Sequence, residues 1–373
     1  MRNYFKFLGG KKKNNITKLL LGIFLIFICC FFLLNNTFSE KFTNKDTAIV
    51  GGYNGIVHTL NNTPLYNVKN VSWMQRLGDN ILMNNESKSK LYLIESKSGK
   101  QIKKLTLTTL NSPVYYYLHN NIVYVACYGD GQGQKSGILT CDEKLENVKE
   151  YVIENNEKNH MHCIDLFTYN DINGSKNSFL IAVNLGDQSL YKIEPSNVNF
   201  NKKLYEFNKS DELDTNPRHF IQIPNTNKIV VLTEEFNTEL TVLEYNSKKD
   251  PGDKFTVIET FNLKTINPYI TGAEIKYYKD SIYITIRTYI SEFTLPSPPA
   301  ASNGIFAKFS LNNNKLSLLK TVSVGKNPRY FTINENVAYV TNQESKSVMS
   351  IDLDKFNILK TFNINNNCAF ILF

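Results

Sequence analysis

The sequence predicts an all-β fold, a seven-bladed β-propeller of four-stranded antiparallel blades preceded by an N-terminal transmembrane or signal helix. Three observations predict it. Phe, Tyr and β-branched residues are frequent, a mixture that favours strands. A layout of short strand, turn, β-branched strand, polar turn and alternating strand recurs about every 42 to 56 residues, the period of propeller blades. Residues 368–373 form an apolar strand with no sheet of their own, free to join the first strands of the chain.

The elements follow in order. Residues 1–18 are a basic leader carrying Arg2, Lys6, Lys11, Lys12, Lys13 and Lys18 and no acid. Residues 19–34 read LLLGIFLIFICCFFLL, an apolar run whose backbone can be satisfied in hydrocarbon only as a helix. It is short for a spanning helix, and a signal peptide has the same apolar core. The basic leader and the lack of an A-x-A-like cleavage site favour a signal anchor over cleavage. The basic flank places the leader in the cytoplasm. A single-pass membrane protein with a lumenal or extracellular propeller is expected, or a secreted one if the segment is cleaved. A linker spans 35–46 and the propeller 47–373.

Blades are expected to begin near Asn70, Ser112-Pro113, His160, Asn216-Pro217, Thr271-Gly272 and Asn327-Pro328. Ala48 to Tyr66 supplies further strands but lacks an opening one, so the chain's last residues complete a seventh blade. That closure removes exposed sheet edges. A two-domain α/β reading would need crossover helices, and no helical period of useful length appears here.

The net charge of +8 is mostly the leader's. Without its six basic residues the chain holds 36 basic against 34 acidic side chains, which excludes a nucleic-acid footprint. Asn is over-used; it suits tight turns, but an AT-rich genome accounts for most of the excess. Sequons at Asn35, Asn61, Asn70, Asn85, Asn173 and Asn208 fit glycosylation of a lumenal domain, although an Asn-rich chain also produces them by chance. Cys127, Cys141, Cys163 and Cys368 are too few for a dense disulfide framework. They are expected as buried thiols, with Cys127–Cys141 the favoured pair if one bridge forms.

Within these repeats stand motifs in a fixed order. They are Val50-Gly51-Gly52-Tyr53, Ala126-Cys127-Tyr128-Gly129, His160-Met161-His162 and Asn184-Leu185-Gly186, then Pro217-Arg218-His219 and Glu235-Phe236. Gly272-Ala273-Glu274-Ile275, Ile286-Arg287-Thr288, Pro328-Arg329 and the stretch from Ala338 to Gln343 follow. Over about residues 47–373 the chain thereby resembles the seven-bladed lactonase family, which includes 6-phosphogluconolactonases and carboxymuconate cyclases. Cys127 and Thr233 depart from that family's usual Asn.

The resemblance implies that His162, Arg218, Glu235 and Arg287 form the active-site group, with His160 and His219 as further substrate-binding members of the pocket. Lactone hydrolysis needs a base for water, a cation or donor for the oxyanion and a proton for the leaving alkoxide. Histidine carries protons near neutral pH, and arginine's planar fork suits carboxylate or phosphate. His162 is therefore assigned as general acid/base and the two arginines as anion binders, while Glu235 orients an Arg or the water. Arg329 reads as a tie between blades, and a Glu235–Arg218 pair could equally be structural.

His160 and His162 alternate on a strand and could share a face, but no third ligand stands nearby, so neither metal nor cofactor is expected. The expected activity is hydrolysis of a small acidic lactone, sugar-phosphate or carboxylate, independent of metal. The partners expected are that anionic substrate and, through residues 19–34, a membrane, with no nucleic acid. The rival reading is a non-catalytic propeller that binds a protein or glycan at the cell surface or in the secretory pathway. A muconate-type cyclase is the weaker third.

Overall fold

The structure is a computed structural model that describes residues 48–129, 135–153, 158–171, 173–194, 198–207, 215–233, 238–250, 252–288 and 302–373. Seven four-stranded antiparallel sheets follow one another around a ring. We number the blades I to VII. Their inner strands are Met74–Leu77, Pro113–His119, Met161–Asn170, Pro217–Gln222, Thr271–Tyr278, Pro328–Asn334 and Asn367–Leu372. Each packs against the inner strand of a neighbouring blade, while outer strands such as Asn357–Asn363 face solvent.

The turns explain why the chain breaks where it does. Asn120-Asn121, Lys279-Asp280, Asn313-Asn314 and Glu335-Asn336 each hold two successive residues at positive φ between paired strands. That is the hairpin turn whose twist matches the flanking strands, and Asn tolerates it best after glycine. Four blades also start from a left-handed residue, Asn70, Ser112, Asn216 and Asn327, three of them just before a proline. The proline has no N–H to leave unpaired at the first strand position.

Blade VII is built from both ends of the chain. Residues Asn367–Leu372 pair with Ile49–Tyr53, which pairs in turn with Ile56–Thr59, and Ile56–Thr59 pairs with Pro64–Lys69. The closure expected from the orphan strand is thus present, and the inner-strand starts fall where the repeats put them. The core is divided into apolar clusters, most of them wedged between two adjacent sheets. Phe167 and Phe179 of blade III, for example, pack against Tyr245 and Phe255 of blade IV.

One expectation is corrected. Cys127 and Cys141 lie on neighbouring strands, but Cys127 is paired with Gly137 and Cys141 with Val123. Four strand positions separate them, about 13 Å at the usual rise, far beyond disulfide reach. All four propeller cysteines are free and buried. Of the sequons, Asn85 is 8% exposed, and its carbonyl oxygen accepts from Lys88 N–H and Ser87 Oγ. Asn61 and Asn173 are exposed, Asn70 is half-buried, and Asn35 and Asn208 lie outside the described residues. The apolar segment 19–34 also lies outside them; among the described residues no helix is long and apolar enough to cross a membrane.

Candidate active site at the start of the inner strands

Near its start, every inner strand from blade II to blade VII runs one residue out of step with the strand beside it. The residues skipped are Val114, His162, Arg218, Ala273, Arg329 and Ala369. A bulge of this kind bends the strand and re-aims the extra side chain. In blade I, Ser72 and Trp73 stand ahead of the first paired residue, both N–H groups donating to Asn84 Oδ1.

Five of these skipped positions, all but Ala273, meet with Ser72 of blade I at one end of the ring. A single cavity there is lined by Ser72, Val114, His162, Arg218, Arg329 and Ala369. The rest of its lining is Trp73, which follows Ser72, and His219, Glu274 and Tyr330, which follow the bulges of blades IV, V and VI. The gap between these side chains has room for about one water.

The geometry is that of a polar cluster on an aromatic plug. The His162 and His219 rings lie 4.8 Å apart. His219 Nδ1 is 3.2 Å from Glu274 Oε1, which also accepts from Ile275 N–H. Two residues further along the strand, Lys276 Nζ donates to Tyr330 Oη at 3.2 Å and lies 4.6 Å from that ring's centre. Trp73, the chain's one tryptophan, closes the middle of the ring. It sits 4.2 Å from Tyr115, 4.6 Å from Phe370 and 5.3 Å from Tyr330.

The arginines are held by backbone. Arg218 Nε donates to Ala273 O at 2.9 Å, bridging blades IV and V, and Arg287 Nη2 donates to Gly272 O at 2.9 Å. Arg287 comes from the second strand of blade V and stands behind the cavity wall, close enough for its charge to act on His162. Arg329 lies over the Tyr53 ring and 3.9 Å from Glu86, so it does tie blades together while lining the cavity.

Burial pushes the His162 pKa well below the usual histidine value, and Arg218, His219, Arg329 and Arg287 push it the same way. His219 is also lowered by burial, against the pull of Glu274. Burial works against ionisation of Glu274, yet His219, Lys276 and the Ile275 N–H together hold it below the usual carboxylate range. We therefore treat both imidazoles as neutral and Glu274 as ionised at neutral pH. Four cations, Arg218, Arg287, Arg329 and Lys276, then outweigh the nearby carboxylates. His162 Nδ1, His219 Nε2 and Glu274 Oε2 are buried without a hydrogen-bond partner in the protein. Buried polar atoms are rarely left so, and these three all belong to side chains that line the cavity.

The structure thus brings together His162, His219 and Arg218, with Arg287 one step behind. His160 is set apart. It precedes the strand, its ring stacks on Tyr128 at 4.3 Å, and its Nδ1 contacts Tyr128 O. Glu235 lies outside the described residues. No group of three metal-ligating side chains occurs among the described residues. Sequence reasoning missed Glu274, Trp73 and Tyr330. Glu274 occupies in blade V the place that His219 holds in blade IV, so a blade-by-blade alignment of bulge positions would have found it.

A neutral imidazole backed by a carboxylate, a second neutral imidazole and fixed guanidinium groups can move a proton and stabilise an anion at one point. The model of the family described as "Lactonase, 7-bladed beta-propeller" matches residues 57–359. Among solved structures, a candidate 6-phosphogluconolactonase from Bacteroides fragilis has a TM-score of 0.60 at 16% identity, covering 88% of this chain and 99% of its own. One from Bacteroides uniformis gives 0.61 at 15% identity with the same coverage. The hydrazine synthase of Kuenenia stuttgartiensis gives 0.57 at 11%, covering 78% of this chain and 85% of that one. At these identities the likeness is one of fold. Comparison with curated protein sequences gives no match.

Proposed function

Since the chain belongs to the seven-bladed β-propeller lactonase family, we propose that it hydrolyses a small acidic lactone at the cavity formed by the inner-strand bulges. One observation carries this reading: His162, His219, Glu274, Arg218 and Arg329, from four blades, line a single buried cavity with a cationic surplus. Since that cavity holds about one water, the lactone lies against the bulge layer from outside and the water occupies the gap.

His219, backed by Glu274, takes the proton of that water as its oxygen adds to the lactone carbonyl. The negative charge that forms on the carbonyl oxygen is met by Arg218 and Arg329, whose positions are fixed before reaction. When the ring C–O bond breaks, the leaving alkoxide receives a proton through His162, and the product is a hydroxy acid. The acidic group of the substrate offsets the surplus of guanidinium charge, with Arg287 adding to the field from behind. The run 19–34 behind its basic leader supports a membrane anchor with the propeller on the lumenal or extracellular side.

The test is hydrolysis of a lactone panel that includes 6-phosphogluconolactone, with His162→Ala and Arg218→Ala as controls whose folding is checked by thermal melting. Each substitution is expected to lower kcat/KM by about 10²-fold or more; activity that survives both rejects the assignment. The narrowness of the cavity favours a second reading, a non-catalytic propeller that binds a protein or glycan. A folded, glycosylated protein inert towards every lactone would favour it.

A further inference from the structure

The outer rim of the ring is divided in two. Blades V, VI, VII and I follow one another around it, and their outermost strands are Lys315–Ser323, Asn357–Asn363, Pro64–Lys69 and Gln101–Thr106. These strands carry Lys315, Lys320, Lys360, Lys69, Lys103 and Lys104 and no acidic residue. The outermost strands of blades II, III and IV, Lys149–Val152, Lys203–Glu206 and Phe255–Asn262, carry two lysines and three glutamates. Of the six lysines only Lys103 pairs with a described carboxylate, Glu146 at 3.6 Å.

Aliphatic side chains gather on the same arc. In blades I, V and VI the outermost strand carries a bulge, and the residues skipped are Ile102, Leu319 and Leu359. They are 49%, 50% and 53% exposed, the highest values among the described large apolar residues. The corresponding skipped residue of blade III, Leu204, is buried. Scattered exposed leucines are ordinary. A row of them at matching bulges, interleaved with lysines and free of acids, is the composition of a surface that rests in a headgroup layer. The chain also enters the propeller inside this arc, at Ile49 of blade VII. Residues 35–48 separate that strand from the apolar run 19–34, and a linker of this length reaches at most about 50 Å.

We infer that the rim of blades V, VI, VII and I docks on a bilayer surface bearing acidic headgroups, the same bilayer that residues 19–34 enter. The inference rests on the anchor reading of that run and adds an orientation to it. The ring axis then lies along the bilayer, and the cavity at one end of the ring opens sideways to solvent. Each lysine near an acidic surface contributes about fivefold in binding. A short tether makes even a weak contact sufficient, because it fixes the local concentration of headgroups.

The test is hydrogen exchange of the full chain reconstituted in vesicles of phosphatidylcholine alone, or of equal parts phosphatidylcholine and phosphatidylglycerol. On the acidic vesicles, amides of 101–106, 315–323 and 357–363 are expected to exchange more slowly than on the neutral ones, and high salt to remove the difference. Amides of 149–152, 203–206 and 255–262 are expected to be unchanged. Combining Lys104→Glu, Lys320→Glu and Lys360→Glu is expected to lower the docked population by about 10²-fold or more and abolish the protection, with folding checked by thermal melting. Equal exchange on both lipids, or equal protection of both arcs, overturns the inference. So does protection that follows protein concentration and not lipid charge, since that marks a second copy pairing at the outer edges. If alkaline washing strips the chain from the vesicles, the anchor reading fails. The full chain mixed with the same vesicles still decides the docking: protection of the lysine-bearing arc on acidic lipid alone supports it, and its absence overturns it.

Discussion

Burial keeps His162 and His219 neutral at the pH where a base is needed, and Glu274 makes one of them the stronger acceptor. Because both histidine pKa values are lowered, the acid limb of kcat/KM against pH is expected below about pH 6.5, the ordinary histidine value. Glu274→Gln keeps the size of the side chain and removes the charge. It is expected to cost about 10–100-fold in kcat and to reshape that limb, as a steady-state pH profile would show.

Deeper in the channel Asp165 behaves in the opposite sense. Burial raises its pKa to about 6, while the Leu166 N–H, Tyr117 and Lys276 pull it down. The folded state then binds a proton more tightly than the unfolded state, so this group's contribution falls as pH rises from about 4 to 6 and stays low above. Asp165→Asn is expected to remove that decline, worth about 3 kcal/mol at most, in urea melts across that range. His162 and His219 were legible in the sequence because H-x-H and P-R-H stand out. Glu274 was not, because its position depends on a bulge in the register that no local pattern records.

The bulge is the element that makes the site. Six inner strands repeat it, and at five of them the skipped side chain lines the cavity. Asparagine on the second strand holds the arrangement in blade I, where Asn84 accepts from Ser72 and Trp73 N–H and donates to Ser72 Oγ and Pro113 O. Asn84 is fully buried, so Asn84→Ala leaves several polar groups unpaired. It is expected to cost about 2–4 kcal/mol by chemical denaturation and to lower activity by loosening Trp73.

Part of the abundance of asparagine, read from the sequence mainly as base composition, is put to use in turns. Twelve of the 21 described non-glycine residues with positive φ are asparagine. Composition alone cannot separate the two origins, since both produce the same Asn pairs; the dihedral angles can. Strand and blade starts were legible because turn residues and β-branched runs alternate with a fixed period. The supposed Cys127–Cys141 bridge failed because adjacency of strands says nothing about register along them.

At the scale of the ring, stability and function share one requirement, closure. Asn367–Leu372 is the inner strand of blade VII, and its Phe370 packs against Trp73 and Tyr330 at the cavity floor. Deleting residues 367–373 would open a sheet edge and remove part of that floor. The truncated chain is expected to lose its cooperative thermal transition and to aggregate, as scattering during a melt would report. The sequence showed this closure because an apolar strand stood without a partner at the end of a six-fold repeat. It could not show the width of the cavity, since that depends on ten side chains brought together from more than 290 residues of chain.

The claim on which the functional account turns is that side chains from separate blades act at one point. A double-mutant cycle on lactone hydrolysis, pairing His162→Ala of blade III with Glu274→Gln of blade V, tests it most directly. Groups acting as one unit should give a double mutant no worse than about the poorer single mutant. Losses that multiply, as for independent sites, would contradict the convergence.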